Sequence, residues 1–111
     1  MKMIVAIVQD EDSSRLISAL MNDGFGVTKL ATTGGFLRAG NTTLLIGVDD
    51  EKLHSVMEII EQVCKSRKQM TAAPSTMANM GGMPGAASYP VEVTVGGATV
   101  FVLTVDQFIK L

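Results

Sequence analysis

Met3-Ile4-Val5-Ala6-Ile7-Val8 is an unbroken apolar run rich in β-branched residues, followed at once by Gln9-Asp10-Glu11-Asp12-Ser13-Ser14. A continuous run of this length suits a central strand buried on both faces, and the polar stretch after it suits the start of a helix. Several residues there are good N-caps, and acid is favoured at the positive end of a helix. Leu16, Ile17, Leu20 and Met21 then recur at helical spacing. Asn22-Asp23-Gly24 closes that helix, with Gly24 at the left-handed position after the last turn.

Working outward, Val27 to Thr32 reads as a second strand and Thr42 to Val48 as a third, with a loop of three glycines between them. Asp49 or Asp50 is placed to cap a second helix. Its apolar stripe is Leu53, Val56, Met57, Ile60, Val63 and Cys64, spaced i, i+3, i+4, i+7. Ser66 to Ser88 has no consistent period and holds Pro74, Pro84, a Gly81-Gly82 pair and four methionines, so a long flexible loop is predicted there. Val91, Val93 and Val95 alternate with polar residues and mark a fourth strand. Gly96-Gly97 is a hairpin signal leading to a fifth strand over Ala98 to Val105. Asp106 to Leu111 is a short tail with room for one helical turn.

The predicted order is β-α-β-β-α-β with an extra C-terminal strand, a ferredoxin-like α+β arrangement in a single domain over 1–111. Two helices would cover one face of an antiparallel sheet. The other face would stay rich in Val, Leu and Ile, so self-association is expected to cover it.

Bulk properties narrow the function. The chain has 111 residues, 47% of them hydrophobic and 18% charged, which is too apolar for disorder. A formal net charge of −2 argues against salt-driven binding to DNA or RNA. The single cysteine excludes an intramolecular disulfide and suits a reducing compartment. No signal-peptide pattern and no bilayer-length apolar run is found, so a cytoplasmic protein is expected.

The inventory for catalysis is poor. His54 falls opposite the apolar stripe of its helix and reads as a surface residue, while Cys64 lies on the stripe and reads as a buried thiol. No metal-ligand spacing is present, and no cofactor is implied. The acids of Asp10-Glu11-Asp12 and Asp49-Asp50-Glu51 precede helices, and capping accounts for them.

Thr32-Thr33-Gly34-Gly35-Phe36-Leu37-Arg38-Ala39-Gly40-Asn41-Thr42-Thr43 stands apart. Its glycines let backbone N–H groups approach an anion. Its threonines offer hydroxyls, Arg38 a fixed charge, Asn41 a paired donor and acceptor, and Phe36 a flat face for a base. The set suits a phosphate joined to a nucleobase, and it is not a P-loop, because no Gly-Lys-Ser/Thr follows. A hairpin with Phe36 tucked into the core would use the same residues.

Two long motifs, "TKLATTGGFLRAGNTT" at 28–43 and "YPVEVTVGGATVFVL" at 89–103, together with "MKMIVAIVQDED" at the start, closely resemble the PII-like cyclic di-AMP receptor family. The resemblance implies a homotrimer of ferredoxin-like, PII-like subunits that acts in signal transduction and is not an enzyme. One cyclic di-AMP would sit at each subunit interface. Residues 33–41 would correspond to the T-loop and 66–88 to a long B-loop, and both would shift when ligand binds and so alter the interaction with an unidentified target protein.

Carried over by motif, Thr28 would bond the ligand from the second strand. Gly35, Phe36 and Leu37 would wrap one adenine, and Asn41 would read an adenine edge. Gly47 would be a small position where the ligand approaches the third strand, Phe101 an aromatic at the neighbouring wall, and Gln107 a contact from the tail. One departure stands out. Where the family reads Asn-Phe-Arg, this chain has Gly24-Phe25-Gly26. An Arg–phosphate contact contributes roughly 1.5–3 kcal/mol, so its loss would weaken binding about ten- to a hundredfold unless Lys29 or Arg38 compensates.

That departure keeps a second reading open, a PII-like regulator binding ATP or another adenine nucleotide. An RNA-recognition domain would need aromatics on the first and third strands, and these have none. A phosphatase on this fold would want an anion-binding turn after the first strand, where this chain is acidic.

Overall fold

The computed structural model describes residues 1–30, 40–74 and 88–111. The chain divides into two units, one made of residues 1–65 and 96–111, the other of residues 66–95.

The larger unit holds β1 (Lys2–Gln9), α1 (Asp10–Asn22), β2 (Thr28–Leu30), β3 (Asn41–Val48), a single 3₁₀ turn at Asp50–Lys52, α2 (Leu53–Cys64) and β6 (Ala98–Thr104). Its sheet runs β2-β3-β1-β6, with every neighbouring pair antiparallel. The apolar run 3–8 is therefore central, as its composition requires. Ile4, Ala6 and Val8 are buried, and so are Leu44, Ile46 and Val48 of β3. Leu16 and Leu20 of α1 and Val56, Ile60 and Cys64 of α2 complete this core, so both helices cover the same face. The expected α+β arrangement holds, and it is compatible with a ferredoxin-like fold.

Helix α1 ends as its glycine predicts. Gly24 has φ +88°. Its N–H donates to Met21 O at 3.0 Å, and that of Phe25 to Leu20 O at 3.0 Å, the paired bonds of a Schellman closure. Phe25 then packs against the core. The start of the helix differs from expectation. Gln9 is the N-cap but makes no side-chain capping bond, and the acids are used elsewhere. Asp10 accepts a hydrogen bond from the Thr42 hydroxyl. Asp12 is fully buried and pairs with Arg15 at 2.6 Å. Asp49 likewise makes no side-chain cap, and Asp50 accepts from the Met1 amino group at 3.0 Å, which holds its carboxyl below the ordinary range.

Met21, expected on the apolar stripe, is 61% exposed. The buried positions of α1 are 12, 13, 16 and 20, so the inward face is rotated toward the N-terminal side of that stripe. Cys64 is buried and His54 exposed, as read from the stripe of α2.

The smaller unit is a two-stranded antiparallel ribbon of β4 (Arg67–Pro74) and β5 (Ser88–Val95). Two expectations need correction here. The loop expected over 66–88 begins with a strand, because Arg67–Pro74 pairs along its whole length with Ser88–Val95. The Gly96-Gly97 pair does take positive φ, at +84° and +87°, yet it does not close a hairpin. β5 pairs with β4, whereas β6 pairs with β1. The strand beside β1 is thus Ala98–Thr104, and the additional strand pair lies before it in the chain rather than after it. The tail beyond β6 is not helical.

Leu20 and Met21 are adjacent but opposite in environment. Leu20→Ala should lower the unfolding free energy by about 2–5 kcal/mol, and Met21→Ala by less than about 0.5 kcal/mol. Urea unfolding of the two variants checks this.

Candidate functional site

Strand alternation sorts the candidate residues onto faces. Along β1, residues 4, 6 and 8 face the helices, so 3, 5, 7 and 9 face the open side. Register carries that assignment across the sheet. Val5 lies opposite Leu45 and Phe101, and Leu45 lies opposite Thr28. Thr28, Leu45, Val5 and Phe101 therefore form one row on the open face. Met3 lies opposite Gly47 and Leu103, and Gln9 opposite Asn41. Four residues singled out from sequence, Thr28, Asn41, Gly47 and Phe101, thus share the face that carries no helix.

They do not form a single-chain pocket. Thr28 and Phe101 lie on opposite edge strands, three strand spacings or roughly 14 Å apart. Asn41 and Gly47 are six residues apart on β3, roughly 20 Å. Phe101 is 52% exposed and its neighbour on the same face, Leu103, 51% exposed. Gly47 is exposed, and a Cβ there would come within 3.2 Å of the Met1 methyl, the movable end of a flexible side chain. Gln107 is exposed beyond β6. Gly35, Phe36 and Leu37 lie outside the described residues, as do Thr32, Thr33 and Arg38.

Asn41 is the best anchored of the set. The Asp10 N–H donates to Gly40 O at 2.8 Å, and the Asp10 carboxylate accepts from Thr42. Both neighbours of Asn41 are thereby tied to the first residue of α1. Asp10, expected as a cap, is a clamp on the start of β3 instead. Its own hydroxyl donor, Thr42, is buried on the helix side.

Beside Asn41 lies a cleft of about 250 Å³ lined by Ile7, Gln9, Gly96, Gly97 and Thr99 among others. Gly97 N–H donates to Cys64 O, and Gly96 N–H donates to Gln9 Oε1 at 2.8 Å. On the same face, Thr43 Oγ1 is buried with no hydrogen-bond partner among the described residues, an arrangement that costs about 1–3 kcal/mol when left unmet. The cleft is smaller than the roughly 300–1,000 Å³ that encloses a drug-sized ligand, so by itself it suits one base or one sugar–phosphate unit. Gln9 and Gly96 were not among the residues expected at the site. The alternation of β1 carried forward by one step, from 3, 5 and 7 to 9, is the signal that places Gln9 there.

Among the described residues no group of side chains could hold a metal ion, and no helix is long and apolar enough to cross a membrane.

The strand order, the antiparallel pairing and the one-sided helices define an α+β protein with an open, partly apolar sheet face. A crystal structure of a functionally unknown protein from Pediococcus pentosaceus ATCC 25745 is similar to it, with a TM-score of 0.76 and 41% identity over 99% of this chain and 96% of that one. The sequence model of the cyclic-di-AMP receptor family matches residues 1–111. The chain belongs to the cyclic-di-AMP receptor family.

The clamp on Asn41 is testable without ligand. Thr42→Val removes the hydroxyl donor to the Asp10 carboxylate and should lower the unfolding free energy by about 0.5–1.5 kcal/mol in urea unfolding.

Proposed function

We propose that this chain is a signal-transduction receptor that binds cyclic di-AMP where two copies of it meet in a homotrimer, and that binding alters its loops and hence its contact with a target protein. The observation that carries this reading is the distribution of Thr28, Asn41, Gly47 and Phe101. All four share one sheet face, yet they are too far apart for one protomer to close them around one ligand. A second copy laid against that face would bring a Phe101 from one edge toward a Thr28 from another. It would also bury the half-exposed Phe101 and Leu103, which are otherwise costly to leave in water.

The chemistry fits an adenine dinucleotide. Each adenine needs a stacking partner and a donor–acceptor pair, and Phe36 and Asn41 supply these. Base–aromatic stacking contributes roughly 1–3 kcal/mol per base. The phosphates need hydroxyls and N–H groups, which Thr28 and the glycines around Gly35 provide, and Leu37 adds apolar contact. Gln107 reaches in from the tail. Contacts from Gly35, Phe36 and Leu37 to the ligand would be the ones that transmit occupancy to 33–41. Nothing in this scheme turns over substrate.

Binding is expected to rest on local contacts, since a net charge of −2 gives no long-range attraction to an anion. Calorimetry with cyclic di-AMP, cyclic di-GMP, ATP and AMP on one sample tests the reading. Cyclic di-AMP should bind tightest, and Phe36→Ala and Asn41→Ala should each weaken it while light scattering still reports a trimer. A preference for ATP, or a monomer in solution, would overturn the proposal.

The missing arginine makes a second prediction. Among the described residues, Gly26 has no atom within 4 Å of where a Cβ would stand, so a β-carbon is accommodated there. Gly26→Arg should tighten cyclic di-AMP binding by about tenfold or more, the worth of a charge-assisted phosphate contact, as read by the same calorimetry.

A further inference from the structure

The cleft beside Asn41 contains a second amide that the reading above does not use. Gln9 lies directly opposite Asn41 in the β1–β3 register, on the same face, and both line the cleft. Directly opposed residues hold their Cβ atoms roughly 4.5–5.5 Å apart, close enough for both side chains to touch one planar base. Their hydrogen-bonding states differ. The backbone N–H of Gly96 can only donate, so the atom of Gln9 that faces it at 2.8 Å must be the carbonyl oxygen. That bond settles which way the amide points. Gln9 has its oxygen turned to Gly96, and the group it turns away from Gly96 is the NH₂, which only donates.

We infer that Gln9 is a specificity-determining residue of the nucleotide site, its Gly96-locked amide donating to an acceptor nitrogen on the ring of adenine. The inference rests on the proposed cyclic di-AMP site and adds to it a residue and a reason for base choice. On its Watson–Crick edge adenine carries an acceptor ring nitrogen, N1, next to its exocyclic amine. A locked donor at Gln9 and the amide oxygen of Asn41 together complement that edge. Guanine presents a ring N–H at the equivalent place. A donor locked against that N–H leaves both unpaired, which is the strong form of discrimination because buried unpaired donors are costly.

The cleft geometry supports the assignment in two further ways. Its volume of about 250 Å³ accommodates one base rather than a dinucleotide. Its floor is pinned, because Gly96 is bonded to Gln9 and the next residue, Gly97, donates to Cys64 O of α2. Backbone on both sides of the amide is therefore held, and a locked group discriminates better than one free to rotate.

Gln9→Glu separates this role from a structural one. A carboxylate keeps the acceptor for Gly96 N–H, so the local fold is retained, but it replaces the donors with an acceptor. Gln9→Met is the second variant, which removes the donors without adding charge. Affinities for cyclic di-AMP and cyclic di-GMP are measured by calorimetry for the wild type and both variants, with melting temperatures alongside. Gln9→Glu should lower the cyclic di-AMP to cyclic di-GMP affinity ratio by about tenfold or more, one good hydrogen-bond pair. Gln9→Met should lower it in the same direction by less. An unchanged ratio in both folded variants, with the wild type still binding cyclic di-AMP, overturns the role of Gln9 and leaves the receptor reading standing. Equal loss for both nucleotides would place Gln9 on a phosphate and likewise overturn base recognition. A wild type that binds neither dinucleotide overturns both readings together.

Discussion

The structure depends on β1 being paired on both sides. With β3 on one flank and β6 on the other, every second residue of the strand is pressed against the helices, and the alternate ones are carried to the opposite face. Both sets are apolar through residue 8. One set, Ile4, Ala6 and Val8, is covered by α1 and α2. The other set, Met3, Val5 and Ile7, is covered only in part within the described residues, and it continues into Leu45, Phe101 and Leu103. A sheet that is apolar on both faces but has helices on one leaves apolar area in water among the described residues, which is the physical motive for the proposed assembly.

The same alternation places the polar residues of the candidate site. Asn41, Gln9 and Thr28 occupy the open face because of their parity along their strands, not because any local motif aims them there. Their positions are then made firm by contacts from elsewhere in the sequence. Asp10 grips Gly40 and Thr42 on either side of Asn41, and Gly96, from the far end of the chain, grips Gln9. Buried Asp12 is paired with the exposed Arg15 at the same corner, at the first turn of α1. A buried carboxylate needs such a partner, since an isolated charge there would be prohibitively costly.

The glycines divide into two kinds of use. Gly24 acts locally, closing α1 with a left-handed turn that a β-carbon would strain. Gly96 and Gly97 take the same region of backbone space for a different end. They carry the chain from the β4–β5 ribbon back to the sheet while their N–H groups bond Gln9 and Cys64. A pair of glycines between two strand-like runs announces a turn, but it does not say which strands the turn will separate.

Much was legible in the residues alone. Continuous β-branched runs, a 3.6-residue stripe on α2 and the glycine after α1 are local signals, and local sterics and periodicity suffice to read them. The class of fold, the buried thiol of Cys64 and the exposure of His54 followed from these, whereas the shared face of Thr28, Asn41, Gly47 and Phe101 came from the strand register. The strand Arg67–Pro74 was not legible. Its residues mix polar and apolar types with no alternation, and what makes it a strand is backbone pairing with Ser88–Val95 rather than its own side chains. For the same reason the partner of β6, the duty of Asp10 and the orientation of the Gln9 amide had to come from three dimensions. Each depends on which backbone group a distant segment brings within hydrogen-bonding reach, and sequence spacing carries no record of that distance.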